Sequence, residues 1–350
     1  MLKFEIDYAE GCLDEILNEL VKTNMVQSDG YRLDNYCKSA SEKIKEACNC
    51  EYLDVHYLVG GTQTNKAVLD TILRPYEGVV SPLLGHINVH EAGAIEAGGH
   101  KVLALSNEDE VIDSEGKLSP VVLENYLSAH KEKDDWHMVE PGAVYISQPT
   151  ERGALYTKDE LIQISSICKK FNLPLFVDGA RLSYALASDK NDVTLEDLAK
   201  YCDIFYIGGT KCGSLFGEAI CFTNDKYNKG FDRVCKQKGS ILAKGRLLGL
   251  QFDVLFTDNL YIEASKKACE YALRIKNAFE KKGIEFIADS YTNQQFPKLS
   301  KKQQKILNDD GITFCTECKI DNENDVVRFC TSWATQEEAV KTLENSINKF

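Results

Sequence analysis

The feature that most limits how this chain can fold is a regular alternation of short apolar runs with helical patterns from about Ser41 to Thr223. "LDVHYLV", "KVLAL", "GAVYIS", "LPLFVD", "DIFYIGG" and "EAICFT" read as strands. "SEKIKEACN", "TNKAVLDTIL", "SPVVLENYLSAHKE", "TKDELIQISSICKKF" and "TLEDLAKYC" read as the helices between them. Strands that alternate with helices imply a mostly parallel sheet covered on both faces. After about Gly239 the texture changes. Two long helical patterns, "SILAKGRLLGLQFDVLF" and "NLYIEASKKACEYALRIKNAFEKKG", precede short strands and a last helix, which reads as a smaller α+β unit. At 350 residues the chain exceeds what one core serves well. The expected division is an N-terminal segment 1–40, a large α/β domain 41–255 and a small domain 256–350. The N-terminal pattern "CLDEILNELVK" is a helix that can pack on either domain.

In open α/β sheets, ligands bind beyond the carboxyl ends of the strands, so the residues just past each strand carry the functional signal. "GGTQTN", Gly60 to Asn65, opens a helix, where backbone N–H groups and the helix dipole suit an anion. A tight turn capped by Thr62 or Thr64 accounts for it equally. In "DGARL", Asp178 closes a strand and Arg181 follows on the first helical turn. They suit a surface ion pair or two groups of one ligand. In "GGTKCG", Thr210 and Lys211 leave a third strand among glycines and apolar flanks. Desolvation there favours the neutral, nucleophilic amine, which can form a Schiff base with an aldehyde. A lysine, a ring-nitrogen acid and a phosphate cradle together match pyridoxal 5′-phosphate (PLP).

Other classes are disfavoured. A net charge of −13 argues against nucleic acid or anionic lipid as a partner. No apolar run reaches membrane-span length, and "MLKFEIDYAEG" has no signal-peptide pattern, so a soluble, cytoplasmic protein is expected. The 13 cysteines are scattered, mostly within apolar patterns, as reduced cysteines would be. "CNC" and "CTEC" lack the paired spacing of a structural zinc site, and no metal centre is expected.

Taken together, the chain resembles the fold-type-I PLP enzymes, and among them the β-eliminating-lyase family that includes the low-specificity L-threonine aldolases. The motifs are "GGTQTNKAVL", "GHINVHEAGA", "FVDGARL" and "GGTKCG", and the likeness covers nearly the whole chain. The resemblance implies an aspartate aminotransferase-like fold with a mostly parallel seven-stranded sheet. It implies Lys211 as the Schiff-base lysine, Asp178 on the pyridinium nitrogen, and Gly61, Thr62 and Thr210 on the phosphate. His86 would stack on the ring and assist proton transfer, with His90 as a polar neighbour. Arg181 would contact the substrate carboxylate or the cofactor, and Arg328 in "VVRFCTSW" would clamp the α-carboxylate. Lys244 falls near a basic residue that reaches a neighbouring subunit's phosphate, with Arg246 competing. Two departures stand out. Asp7 and Tyr8 occupy the place of an "RSDT"-like segment, and Glu151 stands near a second histidine of the known enzymes. The implied reaction is aldol cleavage of threonine-type amino acids to glycine and an aldehyde, in a homodimer or homotetramer. β-Elimination, transamination and a non-catalytic role on the same fold are the alternatives.

Overall fold

The computed structural model describes residues 1–106 and 115–350. β1 (Leu2–Lys3) precedes two helices, α1 (Asp14–Thr23) and α2 (Asn35–Ala47). The alternating region then runs β2 (Asp54–Leu58), α3 (Gly61–Ile72), β3 (Glu77–Pro82), α4 (His86–Val89), β4 (Lys101–Leu105), α5 (Pro120–Lys133), β5 (Glu140–Ser147), α6 (Lys158–Lys170) and β6 (Leu175–Asp178). It continues with α7 (Leu182–Leu186), α8 (Leu195–Tyr201), β7 (Ile204–Gly208), β8 (Glu218–Phe222) and α9 (Phe231–Gln237). The C-terminal part comprises α10 (Arg246–Leu255), α11 (Leu260–Glu280), β9 (Gln294–Gln295), β10 (Lys298–Ser300), α12 (Lys301–Asp309), β11 (Ile312–Thr313), β12 (Cys315–Lys319), β13 (Asn324–Cys330) and α13 (Glu337–Ile347).

The large sheet has seven strands in the order β2-β8-β7-β6-β5-β3-β4. The neighbours from β7 to β4 are parallel. β8 alone runs against both β2 and β7. This is the mostly parallel, seven-stranded α/β architecture that the resemblance implied. Both faces are buried, as the near-continuous apolar runs require. Along β5, Val144 and Ile146 enter one core while Ala143 and Tyr145 enter the other, the period of two expected of a strand. Leu161, Ile164, Leu198, Leu248 and Leu255 from α6, α8 and α10 cover the first face, and Val68, Leu69, Phe231 and Cys235 from α3 and α9 cover the second.

A separate core holds Phe4, Phe279, Leu299, Phe329, Val340 and Leu343 around the small sheet β10-β13-β12. β1 pairs in parallel with β11, so the chain's first residues join its last third. α1 packs on α10. The sequence reading lacked β3, and "IEFIA" forms only a bridge from Phe286 to Pro297. All thirteen cysteines are free thiols. Among the described residues, no helix is long and apolar enough to cross a membrane.

Candidate active site

The parallel strands point their carboxyl ends to one edge of the sheet, so the turns after β2, β3, β5, β6 and β7 converge there. They bring Gly60–Thr64, His86, Glu151, Asp178 and Lys211 to the same end. Because β8 is antiparallel, its first residue, Glu218, joins them. The turns after β6 and β7 pass close together. A Cβ on Gly208 would lie 2.5 Å from the Ala180 carbonyl oxygen, so this position admits only glycine without a shift.

Asp178 is buried and fully bonded. Oδ2 accepts the Tyr145 hydroxyl at 2.6 Å and the Asn65 amide at 3.1 Å. Oδ1 accepts the Tyr206 hydroxyl at 2.5 Å and the Ala180 N–H at 2.9 Å. Burial opposes its charge, but the charge of His86 and the bonds from Tyr145, Tyr206 and Ala180 hold its pKa below the ordinary value. The site therefore keeps a fixed carboxylate ready for a cationic ring nitrogen.

Lys211 is held through its carbonyl, which accepts the Tyr184 hydroxyl at 2.6 Å. Its ammonium makes no hydrogen bond or ion pair among the described residues. Burial and then the charge of Arg181 push its pKa down, while Asp7, Asp178 and Glu218 pull the other way. The preceding Thr210 is already engaged: it donates to Glu218 Oε1 at 2.9 Å and accepts the Gly217 N–H at 3.0 Å. Nearby, Gly60 precedes α3 with no side-chain cap, and Thr64 Oγ1 is buried without a partner among the described residues. Gly61 and the exposed Thr62 form that first turn. An uncapped helix start beside an unmet hydroxyl suits an anion.

On the other wall, His86 Nδ1 lies 2.8 Å from Glu91 Oε1, which also accepts the Asn65 amide at 2.7 Å. This carboxylate orients the ring and leaves Nε2 as its free nitrogen. The His90 ring lies 5.6 Å from that of His86 and has no such carboxylate among the described residues. Glu151 Oε1 accepts the His86 N–H at 2.8 Å and the Ser147 hydroxyl at 2.7 Å, while Oε2 is buried and has no partner among the described residues. Burial raises the Glu151 pKa, Ser147 partly offsets this, and the nearby charge of Asp178 adds to it.

The arginines differ from one another. Arg181 is gripped along one edge by Asp7, with Nε to Oδ2 at 2.7 Å and Nη2 to Oδ1 at 3.0 Å, leaving Nη1 outside the pair. Asp7, fully buried, also accepts the Asn293 amide at 2.8 Å. Burial opposes its ionisation, but the charges of Arg181 and Lys211 bring its pKa to about 2. Among the described residues, Arg328 on β13 reaches only Glu317 at 3.9 Å and the Glu5 carbonyl at 3.3 Å, and its Nε is buried without a partner. An unmet buried guanidinium donor beside a second arginine is a site for a carboxylate. Lys244 is exposed in a cleft with Leu20, Val26 and Leu247 that none of the strand-end residues lines. Arg246 donates to the two Thr23 oxygens at 2.6 and 2.9 Å and to the Val26 carbonyl at 3.2 Å, and its Nε is buried without a partner among the described residues.

Sequence reasoning missed Asn65, Tyr145, Tyr206, Glu91 and Glu218. Tyr145 lies two residues before Ser147, the polar end of β5, and so shares its face, but Tyr206 precedes Gly208 and carries no such mark. Glu218 opens its strand rather than closing one, so the carboxyl-end rule for ligand sites passes over it.

Known proteins resemble this chain over nearly its whole length. The chain is 28% identical over 348 residues to the low specificity L-threonine aldolase of Pseudomonas sp., covering 99% of this chain and 96% of the relative. It is 41% identical to a solved structure of Leishmania major threonine aldolase, with a TM-score of 0.95 and coverage of 100% and 99%. An aspartate aminotransferase from Thermus thermophilus superposes with a TM-score of 0.73 at 12% identity, covering 100% of this chain and 91% of the other, a likeness of fold alone. The model of the beta-eliminating lyase family matches residues 12–302, which span the converging strand ends. The chain belongs to the beta-eliminating lyase family.

Proposed function

We propose that this protein is a PLP-dependent carbon–carbon lyase that cleaves L-threonine and L-allo-threonine type β-hydroxy-α-amino acids to glycine and an aldehyde. The observation that carries this reading is an unpaired lysine amine, Lys211, which feels the charges of a buried ionised Asp178 and of Arg181, beside Arg328 with its unmet donor. The threonine aldolases to which the chain is similar support the same reaction.

The residues fit the cofactor. The uncapped start of α3 and the orphaned Thr64 hydroxyl offer donors to a phosphate, with Gly61, Thr62 and Thr210 alongside. When bound, PLP supplies an electron sink for the pair released from the Cα–Cβ bond. Lys211 is its covalent anchor and afterwards a proton carrier. Asp178 holds a proton at the ring nitrogen. Arg328 clamps the substrate carboxylate, with Arg181 Nη1 beside it. His86, oriented by Glu91, takes the β-hydroxyl proton at Nε2 directly or through a water. Glu151 Oε2 accepts or donates at the same hydroxyl, in place of the family's second histidine. Lys244 reaches the phosphate of a neighbouring subunit in a homodimer or homotetramer that works in the cytoplasm.

The test is product analysis. The purified chain with added PLP and L-threonine, or L-allo-threonine, is expected to release glycine and acetaldehyde in equal amounts. Ammonia with a keto acid instead assigns elimination. Amino transfer to an added keto acid assigns an aminotransferase.

A further inference from the structure

β8 is the one strand of the large sheet that runs against its neighbours, and this brings Glu218 to the ligand end. The side chain is 3% exposed. Its Oε2 accepts the Gly209 N–H at 3.1 Å, and its Oε1 accepts the Thr210 hydroxyl at 2.9 Å. Thr210 Oγ1 also accepts the Gly217 N–H at 3.0 Å.

A hydroxyl carries one proton and two lone pairs. With Glu218 ionised, Thr210 gives its proton to the carboxylate and has none for an anion. With Glu218 neutral, the carboxyl proton sits on Oε1 and is donated to Thr210. Thr210 then fills its lone pairs from Glu218 and Gly217, and its own proton is free to point elsewhere. The Gly209 bond to Oε2 is satisfied in both states. We propose that Glu218 is a positioning residue for the phosphate site: its neutral carboxyl turns the Thr210 hydroxyl into a donor for a phosphate-class anion, and its ionised form withdraws that donor. This rests on the reading of the Gly60–Thr64 turn and Thr210 as the phosphate cradle.

Both states are reachable. The groups that face Glu218 are Lys211 and Asp178 from the strand ends, Tyr206 on β7, Cys212 in the following turn and Tyr261 on α11. Burial pushes the Glu218 pKa up to about 8, with Lys211 opposing and Asp178 adding. A bound anion favours the neutral form further. Anion affinity therefore falls as pH rises through that value.

Sulfate is a suitable probe because its charge is constant from neutral to alkaline pH. Its binding to the whole chain can be measured by calorimetry for the native protein and for Glu218→Gln. Glutamine mimics the neutral acid, with a carbonyl for Gly209 and an N–H for Thr210. The two proteins are expected to bind alike near neutrality. Above pH about 8, binding to the native chain should weaken relative to the variant by up to roughly tenfold per pH unit, the slope of one linked proton. Loss of the Glu218 charge lets Lys211 lose its proton earlier in the variant, which by itself would weaken sulfate binding there, so a native chain that still weakens more than the variant reports Glu218. PLP retention on dialysis at alkaline pH should diverge in the same direction. Equal pH profiles overturn the proposal. So does a Gln variant that binds as poorly as Glu218→Ala at every pH. If the variants do not fold, a flat native profile across that range overturns it alone. Failure of both sulfate and PLP to bind either protein removes the phosphate cradle as well, and so is distinct from failure of the Glu218 role.

Discussion

Arg181 is a buried guanidinium whose charge is answered by one residue, Asp7, through two hydrogen bonds. Removing Asp7 leaves that charge unpaired, so Asp7→Ala should lower stability by about 3–5 kcal/mol, measured by denaturant titration. The pH dependence comes from the depressed pKa. Asp7 ionises at 3.8 ordinarily and at about 2 here. Its contribution, on the order of 2 kcal/mol, is therefore complete above about pH 4 and is lost as pH falls towards 2. Acid unfolding of the native chain should thus begin at lower pH than that of Asp7→Asn. At Lys211, borohydride reduction of the PLP-loaded protein followed by peptide mapping should label this lysine alone. Lys211→Ala should lose the label and at least about a thousandfold in turnover; label on another lysine would reassign the anchor. The placement of Asp178 and Lys211 at one end of the sheet was legible because Asp178 closes β6 and Lys211 follows shortly after β7. The partners of Asp178 were not, since nothing in sequence places Tyr145, Tyr206 and Asn65 around one carboxylate until the strands are aligned.

Among the helices, α10 packs closely against α2. A Cβ on Gly249 would come within 2.6 Å of Cys37 backbone atoms. Gly→Ala within a helix ordinarily stabilises by up to about 1 kcal/mol. Here overpacking reverses the sign, and Gly249→Ala should destabilise by roughly 1–3 kcal/mol, seen as a lower melting temperature. An unchanged or raised melting temperature would show that the two helices can separate freely. Helices with strong periodicity, such as α6 and α11, were legible in the sequence to within a few residues. β3 was not, because "EGVVSP" offers only two β-branched residues before a proline. The run "IEFIA" has strand composition, yet its pairing is limited to one bridge at Phe286, because tertiary neighbours decide pairing more than β-propensity does.

For the whole molecule, Lys244 gives a test of the subunit arrangement. It is exposed and lies outside the strand-end cluster of its own chain. If it completes a neighbour's site, Lys211→Ala and Lys244→Ala proteins, each inactive, should regain activity when unfolded and refolded together. A two-fold dimer formed at random places one intact site in each hybrid, about a quarter of all sites. No recovery would confine Lys244 to its own chain. The mostly parallel α/β plan was legible from the alternation alone, while the place of the N-terminal segment was not, since its strand β1 has only two residues.

That segment ties the beginning of the chain to its end. Leu2 and Lys3 pair with Ile312 and Thr313, the Phe4 carbonyl accepts the Cys330 N–H, and Asp7 neutralises Arg181. On a ribosome, residues 2–7 are made some three hundred residues before 311–330, the segment that seats them. The counter-ion of Arg181 is thus made before the guanidinium it neutralises, yet is held in place by a segment made after it. The charge balance around Lys211 therefore depends on strands far apart in the order of synthesis.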